Sequence, residues 1–150
     1  MEDHRDLSFC TASQKDARAL ADLRVEAMRE SLEAVGRFDP DRARARFLKS
    51  FEPEATTRIL KAGRLVGFFA LKRKSDYLLL DHLYIDDDLQ GIGLGSQVMK
   101  LAKAQANEAS LPIELCALKG SAANGFYEGH GFCLIRSDAL DNYYRFSLET

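Results

Sequence analysis

The chain has 150 residues, 46% of them hydrophobic and 29% charged, and its formal net charge at pH 7 is −2. This length predicts a single domain that spans residues 1–150. The slightly acidic balance argues against a nucleic-acid partner, because proteins that bind nucleic acid generally present strongly basic surfaces. The sequence has no run of about 20 apolar residues, and its first six residues are too polar for a secretory signal. We therefore expect a cytoplasmic protein without membrane contact.

The three cysteines, Cys10, Cys116 and Cys133, are an odd number and show no spacing typical of a metal site. All three lie in apolar runs that predict strands. We therefore expect them to be small buried hydrophobes, and we expect neither a disulfide framework nor a bound metal.

The first part of the chain predicts a short strand followed by a helix. Residues 7–10 form an apolar, strand-like run. Ser13, with Asp16 three residues later, is a signature of a helix N-terminus. Apolar residues then recur at helical spacing, and Gly36 is a typical C-terminal stop.

A second helix and a hairpin are predicted next. Asp39-Pro40-Asp41 is a helix start, and the more basic helix that follows should end before Pro53. Residues 56–60 and 65–71 are rich in β-branched and aromatic side chains, and residues 61–64 between them are suited to a tight turn.

The second half of the sequence alternates between strand and helix patterns. A polar turn at residues 72–76 should connect the hairpin to a third strand and complete an antiparallel meander. The strand, long helix and strand that follow require a parallel pairing, since a crossover of this length joins parallel strands. The predicted elements are a strand at 77–85, a helix from Gly93 to about 108, a strand at 112–118, a short helix at 122–129, and strands at 132–136 and 143–148. Together these elements predict an α+β domain with a mixed sheet.

A glycine-rich loop joins the strand at 77–85 to the long helix. Residues 90–96 read Gln-Gly-Ile-Gly-Leu-Gly-Ser. Glycines allow the backbone to approach a ligand closely, and the free N–H groups at a helix N-terminus attract phosphate. The loop therefore predicts a phosphate site, and a diphosphate fits best. The alternative is a glycine-rich turn without a ligand.

Two familiar phosphate motifs do not fit this loop. A P-loop requires Lys and then Ser or Thr after its last glycine, but Gly95 is followed by Ser96 and Gln97. A dinucleotide fingerprint requires a third glycine at the position of Ser96. The pattern that fits is Gln-x-x-Gly-x-Gly, at Gln90, Gly93 and Gly95.

This pattern resembles the acyl-CoA loop of the GNAT acetyltransferase family. The preceding segment, with Leu83, Ile85 and Gln90, matches the strand that approaches the loop in that family. Downstream, Ala123-x-x-Phe126-Tyr127-x-x-x-Gly131-Phe132 is similar to the family's other recurrent motif. The matches cover residues 78–132 in the right order. One departure is Gly120, where the family often has Asn seven residues before its tyrosine.

The resemblance implies a GNAT-like fold, with a mixed, mainly antiparallel sheet of about six to seven strands flanked by helices. It also implies that acetyl-CoA is the co-substrate and that no metal takes part. The loop would anchor the diphosphate, and exposed strand backbone would pair with the pantetheine arm. The resemblance assigns acetyl-CoA binding to Leu83, Tyr84, Ile85, Gln90, Gly91, Ile92, Gly93, Leu94, Gly95, Ser96, Asn124 and Tyr127.

Three residues are candidates for proton transfer. The family places its tyrosine at the position of Tyr127, and a phenol can protonate the leaving thiolate because it is neutral at pH 7. Asp81 and His82 are candidate bases on the preceding strand, and strand alternation places them on opposite faces. Asp81 shares its face with Leu83 and Ile85, whereas His82 has the better intrinsic pKa for a base. A structural hydrogen-bonding role is the alternative for each residue.

The implied reaction is direct acetyl transfer in a ternary complex to a primary amine of an unidentified acceptor. In such folds the acceptor pocket lies between the first helices and the late strands. This points to Met28, Arg29, Leu32, Arg37 and Phe38 on one side and to Tyr143 or Tyr144 on the other. The sequence does not distinguish a small amine from a protein N-terminus, or a monomer from a homodimer.

Two other functions are alternatives to the acetyltransferase. A non-catalytic acyl-CoA-binding module would keep the loop but lack the chemistry, and the presence of Tyr127 argues against it. A dinucleotide-binding domain is disfavoured because that fold repeats parallel strand–helix units from its start, whereas here an antiparallel meander comes first.

Overall fold

The sheet of this protein combines one parallel strand pair with antiparallel neighbours. A computed structural model describes residues 6–34, 36–86, 89 and 93–148. The strands are β1 (Leu7–Thr11), β2 (Thr56–Lys61), β3 (Arg64–Arg73), β4 (Leu78–Ile85), β5 (Ile113–Leu118), β6 (Cys133–Ser137) and β7 (Asp141–Phe146). Their order across the sheet is β1-β2-β3-β4-β5-β7-β6. β4 and β5 are parallel, whereas β1–β2, β2–β3, β5–β7 and β6–β7 are antiparallel. The predicted α+β fold with a mixed, mainly antiparallel sheet is confirmed.

The same residues form four α-helices. These are α1 (Ala17–Ala34), α2 (Pro40–Ser50), α3 (Leu94–Ala109) and α4 (Ala123–Gly129). Single 3-10 turns precede α1 and β2, at Gln14–Asp16 and Pro53–Ala55. Within the described ranges, every helix is too short or too polar to cross a membrane.

The chain divides into two compact units. The first unit comprises the chain up to Ala70 together with His82–Leu89, and the second comprises Leu71–Asp81 and the chain after Leu89. The boundaries fall inside β3 and inside β4. The assignment of residues 1–150 to a single domain stays a prediction.

Local signals set the ends of the helices in the first unit. The backbone N–H of Ser13 donates to Asp16 Oδ2 at 2.8 Å, in the turn that leads into α1. The chain leaves α1 at Gly36, whose φ of 69° is the left-handed conformation common after helices. Asp39 is the N-cap of α2, and its side chain accepts the N–H of Arg42 at 3.2 Å. The helix boundaries predicted from these residues are confirmed.

Two backbone features shape the strands of the first unit. β2 and β3 are joined by the two residues Ala62 and Gly63, both with positive φ (50° and 81°), as a two-residue hairpin turn of the favoured primed type requires. Further along β3, a Cβ on Gly67 would lie 2.3 Å from the carbonyl oxygen of Tyr84 in β4. Only glycine fits at this point without displacement of a backbone.

An aromatic cluster forms the centre of the first unit. Phe47 of α2 is 1% exposed, and its ring lies 5.8 Å from Phe68 in an edge-to-face arrangement. Phe51 stacks on Phe47 at 5.5 Å. Leu20 and Ala21 of α1 are fully buried in the same cluster. The large ring area removed from water stabilises this packing.

The second unit follows the predicted periodicities. The buried positions of α3 recur at helical spacing, and those of β5 alternate. They are Leu94, Val98, Met99, Ala102 and Ala106 in α3, and Ile113, Leu115 and Ala117 in β5. The apolar residues whose spacing predicted α3 and β5 are therefore the residues that these elements bury in the core.

The prediction that all three cysteines are buried is wrong. Cys10 is half-buried, whereas Cys116 and Cys133 are exposed. Cys116 lies between the buried Leu115 and Ala117, so strand alternation directs it to the opposite face. Cys133 belongs to β6, which ends the strand order and is exposed at all five of its positions.

Two turns differ from their predicted limits. The sequence predicts a turn that begins at Lys72, but β3 continues to Arg73. The turn follows the strand and is closed by the Lys74 N–H, which donates to the Tyr77 carbonyl at 2.9 Å. The last strand begins at Asp141, two residues earlier than predicted, because the Asp138 carboxylate accepts the Asp141 N–H at 2.8 Å and tightens that turn.

Candidate functional site

β4 carries both candidate bases and alternates as predicted. Leu78, Leu80 and His82 are buried, whereas Asp81 and Leu83 are half-buried. Asp81 and His82 therefore occupy opposite faces of the strand, and each must be assessed in its own surroundings.

His82 lies within the aromatic cluster of the first unit. It is 8% exposed, and its ring lies 5.0 Å from Phe47 and 6.0 Å from Phe68. Arg24 Nε is 3.3 Å from His82 Nδ1. Since a guanidinium group only donates, Nδ1 must be the acceptor, which assigns the neutral tautomer with its proton on Nε2. The single lone pair of the ring is thus engaged by Arg24, which disfavours His82 as a base.

Asp81 belongs to the second unit and lies beside a buried lysine. Lys72 Nζ donates to Asp81 Oδ2 at 2.7 Å, and the side chains are 5% and 30% exposed, respectively. A buried ammonium group requires an anionic partner, so this ion pair fixes the direction of the Asp81 carboxylate. Sequence reasoning missed Lys72, because a lysine at the end of an apolar run reads as a turn residue.

The start of α3 has the geometry of an anion site. Gly93 is the N-cap with φ 86°, and the Gln97 N–H donates to its carbonyl at 3.1 Å. A glycine N-cap offers no side chain to the first-turn N–H groups, which belong to Leu94, Gly95 and Ser96. Leu94 is 1% exposed and anchors this turn. The N–H groups and the positive end of a 16-residue helix can together hold phosphate.

Three predicted loop residues, Gln90, Gly91 and Ile92, lie outside the described residues. The predicted contacts of Leu83, Tyr84 and Ile85 concern their backbone at the end of β4. In that segment the Asp86 N–H donates to the Val66 carbonyl at 2.9 Å.

Polar side chains gather beside the first turn of α3. Ser96 Oγ lies 3.4 Å from His130 Nε2, and Lys103 Nζ donates to the His130 carbonyl at 2.7 Å. Partial burial, and then the Lys103 charge, lower the pKa of His130. The imidazole is therefore neutral at pH 7. Sequence reasoning missed His130, which is 34 residues from Ser96.

Tyr127 is buried in α4 and held on two sides. It is 9% exposed, with the rings of Phe126 at 5.4 Å and Phe132 at 5.7 Å. Its carbonyl accepts the N–H groups of His130 and Phe132 at 3.0 and 3.1 Å, which closes the helix. The ring position is therefore well determined, as a positioned proton donor requires.

Asn124 is the centre of a hydrogen-bond network in the second unit. Its Nδ2 donates to the carbonyls of Leu118 at 2.9 Å and Ser121 at 3.0 Å. Its Oδ1 accepts Asn142 Nδ2 at 3.0 Å and the Tyr144 hydroxyl at 2.8 Å. These four bonds use the amide's main hydrogen-bonding capacity. The side chain therefore joins α4 to β5 and β7.

The residues expected to wall an acceptor pocket occur in both units. In the first unit, the Arg29 guanidinium lies 4.6 Å from the centre of the Phe38 ring. In the second unit, Tyr144 is 2% exposed, whereas Tyr143 has its hydroxyl 2.8 Å from Asp138 Oδ2 and its ring 3.6 Å from Arg136. Of the two tyrosines, Tyr143 is the accessible one.

Cys116 lies opposite Tyr143 in the pairing of β5 and β7. Although the residue is exposed at the sheet surface, desolvation by the surrounding protein atoms, and then the charge of Asp141, raise the pKa of this thiol. A thiol that keeps its proton at neutral pH is a weak nucleophile. Among the described side chains, no group of three His, Cys, Asp or Glu residues is arranged to hold a metal ion.

A model of the acetyltransferase (GNAT) domain family matches residues 20–147 of this chain. Comparison with curated proteins gave no match. Several solved structures share the fold. The PaiA N-acetyltransferase of Thermoplasma acidophilum, crystallised with coenzyme A, has a TM-score of 0.78 at 14% identity, with 95% of this chain and 99% of that chain covered.

Two further structures show the same likeness. An acetyltransferase from Thermus thermophilus has a TM-score of 0.73 at 20% identity, covering 95% of this chain and 97% of its own. Ard1 of Thermoplasma volcanium has a TM-score of 0.69 at 21% identity, covering 96% and 99%. At these identities the structural likeness establishes the fold.

Proposed function

Since this chain belongs to the GNAT acetyltransferase family, we propose that it transfers the acetyl group of acetyl-CoA to a primary amine. The observation that carries the choice of donor is the start of α3, where a glycine N-cap leaves the first-turn N–H groups without a side-chain cap. Such a turn suits the diphosphate of coenzyme A. The relative from Thermoplasma acidophilum, crystallised with coenzyme A, supports this assignment.

The proposed chemistry is a direct transfer. The amine nitrogen attacks the thioester carbonyl, the bond from carbon to sulfur breaks, and the acetyl group ends on nitrogen. The amine must lose a proton, and the departing thiolate must gain one.

We assign the two proton transfers to residues of the second unit. Asp81 is the candidate group that receives the amine proton, since its carboxylate is 30% exposed and held by Lys72, whereas the lone pair of His82 is engaged by Arg24. Tyr127 is the candidate acid for the thiolate, and its packing supports that role. Asn124 acts as a positioning residue for α4 in this proposal, because its amide is already bonded within the protein.

Ligand binding is tested first by thermal shift with coenzyme A, acetyl-CoA and NAD. Coenzyme A at about 100 times its Kd should add about 2.7 kcal/mol to the free energy of unfolding. Gly93→Val should abolish this shift, because a β-branched side chain at positive φ strains the turn and crowds its N–H groups. Gly63→Val is the matched control, since Gly63 has a similar φ (81° against 86°) and, like Gly93, open space around its Cβ position. Stabilisation by NAD but not by coenzyme A would refute the proposal.

Turnover is tested by the release of coenzyme A with a panel of amines. Tyr127→Phe should bind coenzyme A normally and lose about 10²–10⁴-fold in turnover, the usual range for a lost general acid. Initial rates with both substrates varied should give the intersecting pattern of a ternary complex rather than the parallel lines of an acetyl-enzyme. Binding without turnover on any amine would instead identify a non-catalytic acyl-CoA-binding module.

A further inference from the structure

We propose that His130 is part of the coenzyme-binding site and donates a hydrogen bond to a phosphate group of coenzyme A. This inference rests on the proposed function, because it presumes that coenzyme A binds at the start of α3. It adds to the site a residue that lies outside the glycine-rich loop and its motif.

The position of the imidazole is the first argument. His130 Nε2 is 3.4 Å from the hydroxyl of Ser96, and Ser96 is in the first turn of α3. The first-turn N–H groups are the donors expected to hold phosphate. An imidazole beside this turn adds a side-chain donor to the backbone donors at the same end of the helix.

The second argument is that contacts hold both the backbone and the side chain of His130 in place. Lys103 Nζ donates to the His130 carbonyl at 2.7 Å and lies 4.4 Å from the centre of the Phe146 ring. The Phe126 ring is 4.7 Å from the imidazole. A donor held in this way loses little conformational entropy when a ligand binds.

The charges around the ring favour an anion. Lys103 faces His130 from α3, while Ser96 and Phe126 are neutral. The nearby acidic residue of α4 is Glu128, and its carboxylate accepts a hydrogen bond from the Tyr144 hydroxyl at 3.5 Å. The ammonium group of Lys103 and the positive end of α3 therefore act together on a phosphate near His130.

This arrangement predicts proton uptake on binding. Partial burial and Lys103 lower the pKa of His130 in the free protein, so the ring is neutral at pH 7. A phosphate dianion beside the ring favours the imidazolium and raises its pKa in the complex. Because His130 then holds more protons in the bound state than in the free state, the affinity should rise as the pH falls from about 7.5 towards about 6, the second pKa of a phosphate monoester.

A purely structural role would behave differently. The backbone N–H of His130 donates to the Tyr127 carbonyl at 3.0 Å, and any substituted side chain retains that bond. If His130 only closed α4, its substitution would change the melting temperature. The affinity for coenzyme A, its dependence on pH and its dependence on the 3′-phosphate would then stay as in the wild type.

The experiment is isothermal titration of the full chain with coenzyme A and with 3′-dephospho-coenzyme A, between pH 5.5 and 7.5. His130→Gln should weaken coenzyme A binding about 10-fold at pH 6 and flatten the pH dependence, since it removes one charge-assisted hydrogen bond. Lys74→Met is the control, because it also alters a basic side chain but lies in the turn before β4, at the opposite end of that strand from the loop into α3.

The two ligands separate the sources of the phosphate. An effect of His130→Gln that disappears with the dephospho ligand assigns the contact to the 3′-phosphate, and an effect that persists assigns it to the diphosphate. Equal Kd values for the wild type and His130→Gln with both ligands at pH 6 would overturn the inference while leaving the proposed function intact.

The wild type alone provides a second measurement that does not depend on how the variant folds. Binding heats in two buffers of different ionisation enthalpy should show net proton uptake at pH 6.5. No uptake would also overturn the inference. If the wild type binds neither ligand, the proposed function fails first.

Discussion

Gly67→Ala should destabilise the protein through one backbone contact. A Cβ at this position would lie 2.3 Å from the Tyr84 carbonyl oxygen and 3.2 Å from Ile85 Cα. Real Cβ atoms essentially never come closer than 3.0 Å to such atoms, so the separation must grow by at least 3.0 − 2.3 = 0.7 Å. Both partners are strand backbone, which cannot swing away as a flexible side chain would.

The expected cost follows from that displacement. Forcing extra volume into a packed region typically costs about 1–3 kcal/mol. For a chain of this length, each kcal/mol shifts the Tm by about 2–4 °C, so the Tm should fall by about 2–12 °C. Residues 82–85 should also exchange their amide protons faster, because the displaced backbone is the C-terminal part of β4.

Urea unfolding and thermal unfolding of the wild type and Gly67→Ala provide the measurement. Gly129→Ala is the matched control, since Gly129 lies in α4 and a Cβ there would meet nothing within 4 Å. That variant should be neutral or stabilising by up to about 1 kcal/mol. If Gly67→Ala were as stable as the wild type, β3 and β4 could not approach each other as closely as described.

Two further predictions concern buried polar groups. In urea unfolding, Asp81→Asn should lower the free energy of unfolding by about 2–4 kcal/mol and Lys72→Met by about 1–2 kcal/mol. Asp81→Asn leaves the Lys72 ammonium, which is only 5% exposed, without its anionic partner, whereas Lys72→Met leaves a carboxylate that is 30% exposed and can be hydrated. Equal losses would contradict this asymmetry. Tyr144→Phe should cost about 1 kcal/mol, since it removes the hydroxyl that donates to Asn124 Oδ1 at 2.8 Å, and an unchanged free energy of unfolding would show that this bond is dispensable.

Features that depend on neighbouring residues were predictable from the sequence. Asp39 before Pro40 predicted the start of α2, and the four residues 61–64 predicted the hairpin turn formed by Ala62 and Gly63. These signals are local, because a cap or a tight turn is decided by backbone conformation and hydrogen bonds within about four residues. The order of strands around α3 was predictable for a related reason, since a crossover of that length requires the parallel pairing of β4 and β5.

The sequence alone also determined the family, through Gln90, Gly93 and Gly95 in the loop and Tyr127 in the later motif. Which residues surround the chemistry was decided by tertiary structure. His82 meets Arg24 across 58 residues of chain, and His130 meets Ser96 across 34. Periodicity shows which positions share a face of a strand or helix, but it does not show what packs against that face.

Burial was decided in the same way. Cys116 lies in a run that is apolar enough to read as core, yet strand alternation turns it away from Leu115 and Ala117 to the accessible face. Lys72 reads as a turn residue, yet β3 extends past it and Asp81 stabilises its charge from the neighbouring strand. In both cases the sequence specifies the strand, and only the assembled sheet decides which side chains lose contact with water, because burial depends on neighbours that are distant in the chain.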